Sequence, residues 1–191
     1  IKPKDFEQEV LGNGIEELND AGENVSSNLV GSAVDYLVRF MLGAPAEKAF
    51  FISISGAKII GESKKAKDLI EKIKGLDNES IVSALKLTGF DVCRRASSTL
   101  YQPIELINPD NSTIENIRTM AERSLHFFEI YGPKVLEGFT FQGGYTDVVD
   151  SGDGDFTTAD TLWDFKVLKD SIKPKHTLQL LMYWRMGLHS E

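Results

Sequence analysis

Apolar residues along the first clear segment of the chain, Leu29, Val30, Ala33, Val34, Leu37, Val38 and Met41, recur at i, i+1, i+4, i+5, i+8, i+9 and i+12. That spacing lays one broad stripe along a helix and predicts one over 26–42, with Ser26 or Ser27 available as its cap and Gly43 and Pro45 as its stop. Before it, the polar stretch 1–25, punctuated by Gly12, Gly14 and Gly22, reads as a short helix and a loop. Residues 50–60 are apolar and rich in small side chains, and Phe50-Phe51-Ile52-Ser53-Ile54-Ser55 alternates, so helix and strand both fit it. Charged amphipathic patterns predict helices over 64–74 and 79–87, with Gly75 and Gly89 as punctuation. After the turn-forming run Asn108-Pro109-Asp110-Asn111-Ser112, a long helix is expected over 113–131 through Ile114, Ile117, Met120, Ala121, Leu125, Phe128 and Ile130, closed by Gly132-Pro133. Strands are then expected at 135–141, 145–150 and 161–168, and a last helix at 176–187. Helices, a strand meander and a closing helix predict a single α/β domain over 1–191, with a helical N-terminal half in which 47–100 is an insertion. There is no internal repeat.

The chemistry-bearing residues concentrate in the last third. Read as a hairpin, 145–150 and 161–168 bring Asp147 beside Asp164 and Lys166. Residues two apart on a strand share a face, so Asp164 and Lys166 emerge on one side and Trp163, Phe165 and Val167 on the other. On the last helix Gln179 and Tyr183 are i and i+4, hence on one face. Tyr183 is suited equally to orienting a catalytic group and to core packing with Leu180, Leu181 and Trp184, whereas the Gln179 amide between apolar turns must find hydrogen bonds. Asp150-Ser-Gly-Asp153-Gly-Asp155 invites comparison with a calcium loop, but Thr161 stands where the bidentate Glu would be needed, so a Gly/Asp hairpin turn is expected. His126 and His189 have no partner at metal-ligand spacing and read as core or surface histidines.

Asp147, the tripeptide Asp164-Phe165-Lys166 and the Gln179-x-x-x-Tyr183 spacing together resemble the PD-(D/E)XK nuclease superfamily, and within it the RecB-like exonuclease branch. The resemblance runs from Gly138 to about His189. It implies a restriction-endonuclease-like core, a mixed sheet flanked by helices, and hydrolysis of DNA phosphodiester bonds with Mg²⁺ or Mn²⁺. Asp147, Asp164 and the Phe165 backbone carbonyl would be the metal ligands, all oxygens as a hard cation requires. Lys166 would orient or deprotonate the attacking water, with Gln179 and Tyr183 in support. Relatives in this branch often carry a metal-binding His four residues after a Gly on an early helix. Gly31 and Asp35 keep that spacing with Asp in place of His, which makes Asp35 a candidate further ligand, and Arg39 replaces the acid sometimes found one turn later.

Composition narrows this picture. At 41% apolar and 26% charged, 191 residues can bury a core. The formal charge of −8 argues against a general nucleic-acid binder with a broad basic surface, though not against a nuclease. Lys166, Lys169, Lys173, Lys175 and His176 could form a local basic path for DNA or simply a solvated loop. The lone Cys93 excludes a disulfide framework and a four-Cys cluster of the kind some RecB-like relatives carry. No apolar run reaches the roughly 20 residues of a membrane span, nor is there an apolar signal segment, so a soluble cytoplasmic protein is expected. The chain opens on Ile1 and stops soon after Tyr183, as expected of a processed or excised portion of something longer. Expected partners are DNA and a homo-oligomer or a helicase or recombination protein, in phage or mobile-element DNA processing by resemblance. The alternatives are a non-catalytic DNA-binding or assembly module that keeps the fold, and a small-molecule or phage structural protein whose motif residues are accidental.

Overall fold

The computed structural model describes residues 1–9, 18, 23–166 and 171–190. Gly12, Gly14, Gly22, Val167 and Lys169 lie outside the described residues. Among the described residues the chain is mixed α/β, mostly helical, with one small antiparallel sheet. It divides into two compact units, one formed by Ile1–Ile15 with Phe127–Glu191, the other by Glu16–His126, a segment that contains all of 47–100. Among the described residues no helix is long and apolar enough to cross a membrane.

The Glu16–His126 unit is helical: α1 (Ser27–Met41), α2 (Ala46–Ala49), α3 (Phe51–Ile59), α4 (Ser63–Ile70), α5 (Asn78–Thr88), α6 (Asp91–Arg95) and the greater part of α7 (Asn111–Tyr131). The stripe of α1 is buried at Val30, Ala33, Val34, Leu37 and Val38, and α1 packs on α5, which buries Ile81, Ala84 and Leu85. Ser26 is the N-cap of α1 by position but makes no side-chain cap bond. Side-chain caps do start two other helices: Asp77 accepts from Ser80 N at 3.0 Å and Asp110 from Thr113 N at 2.8 Å.

The alternating run 50–55 is helical. Burial at Phe50, Ser53, Gly56 and Ala57 follows helical spacing rather than period two, because those positions are the ones that face α6 and the core. Gly56 is where α3 meets α6 backbone to backbone: a Cβ there would stand 2.0 Å from the Phe90 carbonyl oxygen. Gly56→Ala must therefore push the two helices apart. Overpacking of this kind costs about 1–3 kcal/mol or more, expected as a lower urea midpoint at unchanged m. An unchanged midpoint would mean the two helices separate freely.

The sheet of the other unit runs β1 (Leu136–Thr140), β2 (Asp153–Thr157), β3 (Leu162–Trp163), antiparallel throughout, and α8 (Pro174–Gly187) closes the described chain. Two expectations are corrected here. The strand expected at 145–150 is a loop, and the Gly/Asp run expected to be the hairpin turn supplies β2. Two contacts account for the exchange. Thr146 turns the chain locally, its hydroxyl accepting from Val148 N at 3.2 Å and Val149 N at 3.1 Å. Gly154 tolerates a strand position because the Phe139 ring, opposite it in register, lies over the space its side chain would fill. The third expected strand is short: the ladder ends at Trp163, and 164–166 continue without regular pairing.

One face of this sheet carries an aromatic cluster. Trp163 and Phe165 lie 4.7 and 5.0 Å from Phe127, and Phe156 lies 4.8 Å from Phe128 and 4.9 Å from Phe165, ring centre to ring centre. Each such pair adds about 0.5–1.5 kcal/mol beyond its buried area. Trp163 also donates from its indole N–H to Thr158 Oγ1 at 2.9 Å. The period-two reading of Trp163 and Phe165 as the packing side agrees with this cluster, and it leaves the opposite side to Asp164.

Candidate functional site

Asp164 follows β3 directly. Its side chain is only 6% exposed, and Lys166 Nζ lies 2.6 Å from each of its two carboxylate oxygens. The residue as a whole is half-buried and Lys166 is exposed, so this is a surface ion pair whose carboxylate is shielded chiefly by the ammonium that bridges it. The ring of Phe165, the residue between them, packs on the other side against the aromatic cluster.

Asp147 stands exposed in the loop between β1 and β2, on the turn closed by Thr146 N donating to the Val149 carbonyl at 2.9 Å, next to Val148 at 91% exposure. Tyr145 closes the same loop at its base: its hydroxyl accepts from Phe141 N at 3.2 Å and donates to the Gly152 carbonyl at 3.3 Å. The base rests on α8. A Cβ on Gly144 would meet the Met186 carbonyl oxygen at 2.2 Å, and one on Gly152 would meet Met186 Cε at 3.1 Å and Tyr183 Cε1 at 3.3 Å. Two glycines thus let the loop carrying Asp147 lie against the helix carrying Gln179 and Tyr183.

Gln179 Nε2 donates to the Tyr183 hydroxyl at 2.9 Å, and the Tyr183 ring packs at 4.9 Å on Phe141. Both side chains are half-buried. Tyr183 is therefore a packed ring with a fixed hydroxyl, held against Phe141 and Gly152; Leu180, Leu181 and Trp184, the neighbours expected for it, line a groove of about 540 Å³ with Phe6, Leu162 and Ile172. Lys173 and Lys175 are exposed at the start of α8, where His176 Nδ1 accepts from Lys173 N at 3.2 Å.

Asp35 belongs to the other unit. It is half-exposed on α1 and paired at 3.0 Å with Arg39 one turn on, the residue that replaces the acid of the resembled pattern. Within the unit that holds Asp147, the candidate residues in direct contact are Asp164 with Lys166, and Gln179 with Tyr183. Among the described residues no group of three or more His, Cys, Asp or Glu side chains is placed to hold a metal ion. Mg²⁺ needs no such group, since it keeps several waters and is held through one or two carboxylates together with substrate phosphates. Asp164, Asp147 and the Phe165 carbonyl supply oxygen donors of that type.

Sequence reasoning missed two features. Asp155, read as a turn residue, lies on β2, and its Oδ2 accepts from Phe165 N at 2.8 Å. The Gly154 contact that makes β2 a strand is long-range, so nothing local signals it. The second is in the helical unit, where Asp91, 5% exposed, accepts from the Tyr36 hydroxyl at 2.7 Å and Ser53 Oγ at 2.5 Å, with Arg95 Nε at 3.5 Å. Burial pushes the Asp91 carboxyl above the ordinary carboxylate range, against the hydrogen bonds and Arg95, which pull it down. Burial, with Asp91 alongside, also holds the Tyr36 phenol well above its usual value. Asp91 and Arg95 border a cavity of about 460 Å³ whose other walls include Leu29, Val92 and Leu106.

Comparison of the sequence with protein-family models and curated proteins, and of the fold with solved structures, gives no match.

Proposed function

We propose that this protein is a metal-dependent nuclease that hydrolyses DNA phosphodiester bonds, with a restriction-endonuclease-like core of RecB-like exonuclease character. The observation that carries the proposal is the 2.6 Å pairing of Lys166 with the shielded carboxylate of Asp164, two residues apart beside a sheet edge. It is supported by the Gln179–Tyr183 bond on the helix against which the Asp147 loop rests. A divalent cation bound there supplies charge stabilisation at phosphorus and acidifies a bound water. Asp164, Asp147 and the Phe165 carbonyl offer it oxygens. Lys166 bridges both Asp164 oxygens, so a cation held by Asp164 would share that carboxylate with Nζ. The Lys166 ammonium would there donate to, and so orient, the attacking water beside the same carboxylate. Gln179 fixes the Tyr183 hydroxyl, which orients the loop side of the site, and Lys173 and Lys175 offer charge to the DNA backbone.

Calorimetry with Mn²⁺, run beside cleavage of linear duplex DNA, tests this. Wild type is expected to bind and cleave, and Asp147→Ala and Asp164→Ala each to lose most of both. Unchanged Mn²⁺ affinity in both variants would remove the metal site, and DNA binding without Mn²⁺-dependent cleavage would favour the non-catalytic module instead.

A further inference from the structure

We propose that Asp155 is a positioning residue for the Asp164–Lys166 pair; this role rests on the nuclease reading and adds to it a residue outside the resembled motif. In the β2–β3 ladder Phe156 pairs with Trp163 and Thr157 with Leu162. Continuing that register by one residue sets Asp155 opposite Asp164. Phe156 and Trp163 stack on the aromatic side, so the next pair, Asp155 and Asp164, belongs to the other face by period two. In the β1–β2 ladder the residue opposite Asp155 is Gly138, between the pairs Glu137 with Phe156 and Phe139 with Gly154. A Cβ on Gly138 would meet nothing within 4 Å, so this side of the Asp155 neighbourhood is open.

Regular pairing stops at Trp163, one residue before the functional tripeptide. The amide of Phe165, in the peptide that joins it to Asp164, is bonded instead by the Asp155 carboxylate at 2.8 Å. A side chain thus takes over from the ladder where the ladder ends. The ring of Phe165 is held from the opposite side by Phe127, Phe128 and Phe156. Clamped by a charge-assisted bond on one side and by packing on the other, the peptide fixes the direction in which Asp164 leaves the backbone, and with it the place where Lys166 meets the carboxylate. Asp155 acts through Phe165 and needs only an acceptor oxygen to do so.

Two variants and one direct reading test this in the 191-residue protein. Asp155→Ala is expected to lower kcat for Mn²⁺-dependent cleavage about 10- to 100-fold, the range for groups that orient a metal site's own ligands, with KM for DNA little changed. Asp155→Asn retains an amide oxygen for the Phe165 N–H and is expected to restore most of the rate. Amide hydrogen exchange at Phe165 reads the contact without DNA or metal: protection in wild type, kept by Asn and lost with Ala. Equal rates in wild type and Asp155→Ala would overturn the role, as would an Asn variant as slow as Ala, since the carboxylate charge and not the hydrogen bond would then matter. An unprotected Phe165 amide in wild type would overturn it even if the Ala variant failed to fold. Wild type that neither binds Mn²⁺ nor cleaves DNA, yet protects Phe165, would instead sink the nuclease reading and take the catalytic part of this role with it.

Discussion

Lys166→Ala is expected to cut Mg²⁺-dependent cleavage of linear duplex DNA by about 10²- to 10⁴-fold, the range for loss of a positioned acid or base, while leaving the fold intact, because the pair lies at the surface and water can replace Nζ at the carboxylate. The substitution removes Nζ from both Asp164 oxygens and leaves the aromatic packing of Phe165 untouched. It also removes a positive charge that competes with any cation for the same carboxylate, so Mn²⁺ affinity should hold or rise as the rate falls. That opposite movement separates a chemical role from a structural one, because a lysine that merely neutralised Asp164 would change binding alone. Lys166→Arg is not a conservative control, since a planar guanidinium would grip the carboxylate in a fork and is harder to draw away. Single-turnover rates and calorimetry on the same preparations decide it, and equal turnover by wild type and Lys166→Ala would reduce Lys166 to a surface cation.

The largest stability effect is expected in the helical unit. Asp91→Ala takes the acceptor from the Tyr36 and Ser53 hydroxyls, both essentially buried, at about 1–3 kcal/mol for each one left unpaired. Arg95, a little over half exposed and still bonded to the Tyr36 hydroxyl at 3.0 Å, adds little, because water replaces the lost carboxylate. The same group gives a pH signature. Burial raises the carboxyl of Asp91 in the folded protein above its unfolded value, so the native state binds the extra proton between the two. Stability from this group is full below the unfolded value and is lost as pH rises from the ordinary carboxylate range through the raised one, at up to about 1.4 kcal/mol per pH unit. Asp91→Asn keeps an acceptor oxygen but cannot titrate. Urea unfolding across that range is expected to show wild type losing stability relative to the Asn variant as pH rises, and parallel curves would show that Asp91 is not desolvated.

Much of the helical part was legible because its signals are local. The 3.6-residue stripe from Leu29 to Met41 became α1 within a residue at either end, and the helices expected at 79–87, 113–131 and 176–187 recur as α5, α7 and α8 with modest changes of boundary. The Gln179–Tyr183 contact was equally legible, since i and i+4 meet on any helix. Period two likewise separated Asp164 from the aromatic side before any strand partner was known.

The second strand was not legible, and the site depends on it. Tyr145 to Val149 carries more strand propensity than Asp153-Gly154-Asp155, yet the Phe139 ring over Gly154 makes the weaker segment the strand, and the Thr146 hydroxyl turns the stronger one into a loop. Strand preference is a matter of packing against cross-strand neighbours, which a single stretch of sequence does not contain. Asp147 moved from a strand to a loop for that reason, and Asp155 moved from a turn to the amide of Phe165. Spacing along the chain was enough for the longer helices, for the two faces of the tripeptide and for the i, i+4 pairing on α8, whereas 50–55 stayed open between helix and strand and the short α2 and α6 carried no periodic signal. That Asp155 accepts from the Phe165 amide, and that Asp91 is buried against Tyr36 and Ser53, emerged only in the folded chain, because the first depends on which segment pairs across the sheet and the second joins residues 55 and 38 positions apart.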